Sequence, residues 1–204
     1  MQPRFILASG SPRRRELLAS LGIAFEVIKS DIDETQGADE PPLAYVERLS
    51  GEKAAAVAAM VSQPAFVLAA DTVVILAADT IGVVDGEIVG KPADAAEARA
   101  MLEKLRARAH TVCTSLTLLR LDGDGLVSAE LTRLTQTDVF MRDYTPDEVA
   151  AYIASGDPFD KAGGYAIQHE GFHPVAYIDG SYSNVVGLPV ETLREMLDEI
   201  GWQG

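Results

Sequence analysis

The most apolar stretch of this chain, Val67 to Val84, is broken by Asp71 and Asp79. That interruption excludes a membrane helix, which needs about 18 or more consecutive apolar residues. From Phe66 the pattern is strand-like, and it contains a local duplication: Leu68-Ala69-Ala70-Asp71-Thr72 recurs as Leu76-Ala77-Ala78-Asp79-Thr80. The period of eight is even, so on one continuous strand both aspartates point to the same face.

Strands and helices alternate before this region and long strands follow it. Phe5 to Ala8 reads as a buried strand, then Ser9-Gly10, then a helix with Ser11 as N-cap, Pro12 at its first position and Gly22 at its end. A strand at Phe25 to Ile28, a polar loop from Gln36 to Glu40, and a helix opening at Pro41-Pro42 and ending before Pro64 come next. Asp85-Gly86 is a hairpin turn between Ile81 to Val84 and Glu87 to Val89. Further on we expect a helix at Asp94 to Arg106 and strands at His110 to Leu121 and Leu126 to Met141, joined by the turn Asp122 to Gly125. A helix at Pro146 to Ala154, a strand at Val175 to Ile178 and a terminal helix opened by Pro189 complete the chain. No Gly/Ser linker divides it. The expectation is one α/β domain over residues 1–204, with a mixed sheet in two lobes sharing a cleft.

At 204 residues, 48% hydrophobic and 24% charged, the chain has a globular composition. With 17 Lys+Arg against 31 Asp+Glu its net charge is −14, which argues against nucleic-acid or anionic-membrane partners. Phe5 to Ala8 is too short for the apolar core of a secretory signal, and Arg13, Arg14 and Arg15 follow it, so a soluble, cytoplasmic protein is expected. Cys113 is the single cysteine and reads as a buried, inert thiol.

Several residues could carry chemistry. The strand–helix junction at Ser9-Gly10-Ser11-Pro12-Arg13-Arg14 combines helix N-terminal amides with guanidinium groups; it suits a phosphate as well as it suits a capped helix with solvated arginines. Glu34, Glu52, Asp71 and Asp79 lie at ends of predicted elements, where oxygen ligands suit magnesium bridging phosphates, though each reads equally as a surface charge. Lys53, Lys91 and Lys161 stand beside glycines or carboxylates at element boundaries, where a cluster of them would focus a positive field. His169-Glu170-Gly171-Phe172-His173 matches a zinc-protease pattern that requires a helix, which Gly163, Gly164, Gly171 and Pro174 disfavour. Ser50-Gly51-Glu52-Lys53 lacks the partner motifs of a serine–lysine acylase, and Gly86 to Lys91 is one residue too short for a P-loop.

In order along the chain, Ala8-Ser9-Gly10-Ser11-Pro12-Arg13-Arg14, Glu52-Lys53, Ala-Asp-Thr, Asp85-Gly86 with Gly90-Lys91-Pro92, Asp160-Lys161-Ala162-Gly163 and Val186-Gly187-Leu188-Pro189 resemble the Maf family. That family consists of nucleoside triphosphate pyrophosphatases that use a divalent metal. The resemblance implies the elongated α/β fold shared with inosine triphosphatases, an active site between two lobes, Mg2+ or Mn2+ as cofactor, and is compatible with a homodimer. Arg13, the threonine after the catalytic aspartate and Gln168 resemble the dTTP/UTP branch. A glutamine amide, donor and acceptor at once, can pair with the O4/N3 edge of uracil or thymine.

The duplication departs from the family pattern, because only one Ala-Asp-Thr can occupy the site. Spacing from Lys53 fits Asp71 and spacing to Lys91 fits Asp79. With Asp85-Gly86 as the turn, Asp79 falls opposite Pro92, whereas Asp71 lies about 26 Å further back at roughly 3.3 Å per residue. Asp79 with Thr80 is therefore preferred and Asp71 with Thr72 is the runner-up. A second departure is Leu105 to His110, where the family usually has a Ser-Gly turn before the histidine.

On this resemblance Ser9, Arg13, Arg14, Lys53, Thr80, Lys91, Lys161 and Gln168 are expected to bind a nucleoside triphosphate, Glu34 and Glu52 to hold the metal, and Asp79 to activate water. The alternatives are a 7-methyl-GTP or broader pyrophosphatase, and a non-catalytic nucleotide-binding regulator of cell division.

Overall fold

A computed structural model describes residues 4–61 and 73–202. Its strands are β1 (Arg4–Leu7), β2 (Glu26–Val27), β3 (Val73–Val84), β4 (Glu87–Val89), β5 (Ala109–Leu121), β6 (Val127–Met141) and β7 (Val175–Asp179). The helices are α1 (Pro12–Ser20), α2 (Pro42–Val61), α3 (Ala95–Leu105), α4 (Pro146–Ala154), α5 (Tyr182–Val186) and α6 (Val190–Glu199). Among the described residues the strands form one mixed seven-stranded sheet in the order β2-β1-β3-β5-β6-β7, with β4 paired to β3. β1 is parallel to β2 and β3, while β3–β4 and β6–β7 are antiparallel.

The expected elements form close to their expected limits, with two differences. β2 is a two-residue strand rather than Phe25 to Ile28, because it pairs only with Ile6 and Leu7 at the sheet edge. The short helix α5 carries no periodic apolar signal and was not expected. The strand expected from Phe66 is described only from Val73; Asp71 and Thr72 lie outside the described residues.

The chain divides into two compact units: Met1–Asp79, Thr114–Thr135 and Gly187–Gly204 in the first, and Thr80–Cys113 and Gln136–Val186 in the second. In the first, β3 is buried on both faces. Its even-numbered residues Val74, Leu76 and Ala78 pack with Phe5, Leu18 and the α6 residues Leu193 and Met196. Its odd-numbered residues Val73, Ile75 and Ala77 pack with Ala54, Val57 and Ala58 of α2. This is the two-sided burial of a parallel strand, and its parity sends Asp79 toward α2.

In the second unit Leu102, Leu105, Val139, Tyr144, Tyr152, Tyr165 and Phe172 share a core. Local caps set its helices. Asp94 accepts from the amides of Ala96 and Glu97 at the start of α3, and Thr145 and Glu148 form a reciprocal capping box on α4. Asp85 and Gly86 both have positive φ, 53° and 81°, as a type I′ hairpin turn requires, and the ladder runs from Val84–Glu87 to Gly82–Val89.

Candidate functional site

At the end of the apolar run of β3, Asp79 accepts a 2.7 Å ion pair from Lys53 of α2. The Lys53 ammonium also lies 3.0 Å from Glu34 Oε1. Lys53 is 8% exposed, and a cation so desolvated needs carboxylate partners. One ammonium thus gathers two acidic groups from a loop and a strand. The Glu34 loop is tied down independently: Tyr45 donates to the Glu34 carbonyl at 2.8 Å. Arg48 forks onto both Glu40 oxygens at 2.6 and 2.8 Å and reaches the Thr35 carbonyl. Hydrogen bonds from Arg48 and from the Gly37 amide hold the Glu40 carboxyl down at about 2. Burial, reinforced by Asp79 and Glu34, pushes the Tyr45 hydroxyl upward, keeping it a donor.

The strand–helix junction lies in the same unit. Ser9 is buried, Ser11 caps α1, and the Ser11 amide donates to Ser9 Oγ at 3.3 Å. Arg14 spans long separations: Nε donates to the Gly187 carbonyl at 2.8 Å, and a terminal nitrogen donates to the Ala78 carbonyl at 2.8 Å and to Ser9 Oγ at 3.2 Å. Burial lowers its pKa and Asp79 opposes that shift; starting from so high a value, the guanidinium remains a cation. A Cβ on Gly10 would meet the Lys29 side chain at 2.9 Å, so Lys29 lies across this junction.

In the second unit the Gly163 amide donates to the Gly90 carbonyl at 2.9 Å, joining the Lys91 turn to the Lys161 turn. Lys91 is exposed, whereas Lys161 is 8% exposed. The Lys161 ammonium donates to the Asp157 carbonyl and carboxylate at 2.6 and 2.9 Å and to Asp160 at 2.5 Å. Gln168 is exposed, and among the described residues it makes no hydrogen bond within the chain.

A family model described as Maf-like protein matches residues 4–200. The chain belongs to the Maf family. A dTTP/UTP pyrophosphatase of Syntrophus aciditrophicus is 43% identical over 198 residues, covering 97% of this chain and 90% of that protein. A dTTP/UTP pyrophosphatase of Chromobacterium violaceum is 45% identical, covering 98% and 96%. Among solved structures, the Staphylococcus aureus Ham1 protein matches with a TM-score of 0.50 and 13% identity, covering 97% and 99%, a likeness of fold.

In this Maf-family chain the expected residues Lys53, Glu34 and Asp79 meet directly. Glu52 is beside them in sequence but its carboxylate pairs with Arg48 at 3.1 Å on the helix surface. Thr80 directly follows Asp79 on β3, and Arg13 is half-buried on the first turn of α1. Among the described residues no three histidine, cysteine or acidic side chains converge as a ready metal cluster. The expected metal ligands Glu34 and Glu52 have side chains 56% and 46% exposed and stand in ion pairs with Lys53 and Arg48 respectively. Magnesium takes donors of this type, one or two carboxylates with water and phosphate oxygens completing its shell. The His169 to Pro174 segment is a turn, in which His169 Nδ1 accepts the amides of Gly171 and Phe172. Cys113 is buried, which pushes its thiol up to about 11.

Sequence reasoning missed Tyr45, Arg48 and Lys29. Arg48 had one local signal, its i,i+4 spacing to Glu52 on α2. Tyr45 had its helical spacing, two turns before Lys53 on α2; Lys29 had none.

Proposed function

We propose that this Maf-family chain hydrolyses dTTP and UTP to the monophosphate and pyrophosphate. The observation that carries the reading is the Lys53–Asp79–Glu34 cluster midway along β3, in a chain whose relatives bear that name over nearly their whole length. Asp79 orients a water and takes its proton as the water oxygen bonds to the α-phosphorus. The bond from that phosphorus to the bridging oxygen breaks, and pyrophosphate leaves with the electron pair. Charge builds on the phosphoryl and leaving oxygens, and fixed cations stabilise it there. Lys53, Lys91, Lys161 and Arg13 are the assigned partners of those oxygens. Ser9 and Arg14 hold the junction beside them, and Thr80 supports the substrate next to Asp79.

Gln168 is assigned to the base: its carbonyl accepts from N3–H and its amide donates to O4 of thymine or uracil. Cytosine presents the opposite pattern at those two positions, so an amide held in this one orientation disfavours it. Glu34 and Glu52 would hold Mg2+ or Mn2+, which when bound neutralises phosphate charge. The reading puts the activity in the cytoplasm; among the described residues no helix is long and apolar enough to cross a membrane.

Pyrophosphate release from dTTP, UTP, CTP, GTP and 7-methyl-GTP tests the assignment. We expect dTTP and UTP to be preferred, Asp79→Asn to lose about 100-fold or more in kcat, and Asp71→Asn to remain active. Preference for 7-methyl-GTP, or nucleotide binding without release, would overturn it.

A further inference from the structure

We infer that the Tyr152 hydroxyl is a positioning group that links the Lys161 phosphate contact to the Gln168 base contact, so that one buried oxygen sets substrate affinity and base preference together. This rests on the roles proposed above for Lys161 and Gln168. Tyr152 lies on α4 and is 2% exposed. Its hydroxyl donates to Asp157 Oδ2 at 2.8 Å and accepts from the Ala166 amide at 3.1 Å. The other oxygen of the same carboxylate, Asp157 Oδ1, accepts from Lys161 at 2.9 Å. A continuous chain of hydrogen bonds therefore runs from the Lys161 ammonium through Asp157 and Tyr152 to the backbone two residues before Gln168.

The ring holds the other side of the same turn. It stacks on Phe172 with centroids 4.5 Å apart and planes 21° from parallel, and it meets His169 edge-on at 4.8 Å. Ala166 and His169, on either side of Gln168, are thus both anchored to Tyr152. Gln168 is exposed and makes no hydrogen bond within the chain among the described residues, so this backbone is what sets the position from which its side chain reaches the base. Burial raises the Tyr152 pKa, as do Asp157 and its hydrogen bond, keeping the hydroxyl protonated and donating at neutral pH.

Tyr152→Phe separates the two roles, because it keeps the ring against Phe172 and His169 and removes only the oxygen. With pyrophosphate release as the readout, KM for dTTP and UTP is expected to rise about tenfold while kcat changes less than about threefold, as for a lost hydrogen bond to a charged group. The preference for dTTP over CTP is expected to fall by about the same tenfold factor. In a Gln168→Ala background the substitution should lower that preference no further, since the residue it positions is gone. A folded Tyr152→Phe protein, by near-UV circular dichroism, with wild-type KM and wild-type preference would overturn the inference. So would a higher KM with the preference intact, or a lower Tm with both unchanged. If Tyr152→Phe does not fold, Asp157→Asn takes its place: it is expected to raise KM for dTTP several-fold, and an unchanged KM there would overturn the link. A wild type that releases no pyrophosphate from dTTP or UTP removes the proposed function itself, whereas an active wild type beside an unaffected Tyr152→Phe removes this inference alone.

Discussion

Lys53 carries its charge into a position only 8% exposed, and its two carboxylate partners make that tolerable. Lys53→Met would strand Asp79 beside the apolar face of α2 without its cation. Steady-state kinetics should then show kcat/KM for dTTP reduced about 100-fold or more. Arg14 is a different kind of residue, since its planar fork bridges the carbonyls of Ala78 and Gly187. Lysine has the charge without the fork, so Arg14→Lys should cost roughly 1–3 kcal/mol in urea unfolding. His110 supplies a pH signature. It is 5% exposed, its Nε2 pairs with the Tyr165 hydroxyl at 2.8 Å, and among the described residues its Nδ1 has no hydrogen-bond partner. Burial lowers its pKa from 6.5 to about 4, against the pull of Asp138. The unfolded chain therefore binds a proton that the folded chain refuses between those values. Stability is fully present above 6.5 and shrinks as pH falls toward about 4, by on the order of 1–2 kcal/mol at pH 5. Urea midpoints at pH 7.5 and 5 should show this decline in the wild type and less of it in His110→Gln.

At the scale of elements, the turn before β5 carries a local backbone cost. Ala107 sits at φ 55°, in the left-handed region that a Cβ disfavours. Ala107→Gly should raise stability by roughly 0.5–1 kcal/mol, read as an upward shift in Tm. The opposite holds before α5. Gly180 has φ 129°, and a Cβ there would meet Thr137 Oγ1 at 2.8 Å. That hydroxyl also accepts from the Ser181 amide and the Asn184 amide nitrogen, and Asn184 donates to the Val112 carbonyl. α5 therefore owes its place to partners more than forty residues away in sequence, and a periodic reading of Ser181 to Val186 had nothing to find. The hairpin was legible for the contrary reason: Asp85-Gly86 selects its turn by its own backbone preferences.

Across the molecule, nucleotide binding should be visible as folding stability. Asp79→Asn is expected to keep its affinity for dTTP; with the ligand at about 100 times Kd the linkage amounts to roughly 2.7 kcal/mol, or about 5 °C or more in Tm. A thermal-shift assay with dTTP against GTP would check both binding and preference. At a net charge of −14 a polyanionic ligand meets an unfavourable overall field, so its binding has to rest on local cations and should weaken steeply when one of them is removed.

The residues alone determined what depends on near neighbours: the capped helix after β1, the type I′ hairpin, and the parity that gives Asp79 one definite face of its strand; that this face meets α2 was settled by packing. These follow from backbone sterics and a two-residue repeat, which need no knowledge of distant partners. Tertiary structure decided which charges meet. That Lys53 joins Glu34 to Asp79, that Arg14 is held by carbonyls 64 and 173 residues away, and that Glu52 turns to Arg48 are outcomes of packing and desolvation. A charge leaves water only where a folded partner replaces its hydration, and no local pattern of residues specifies which partner that will be.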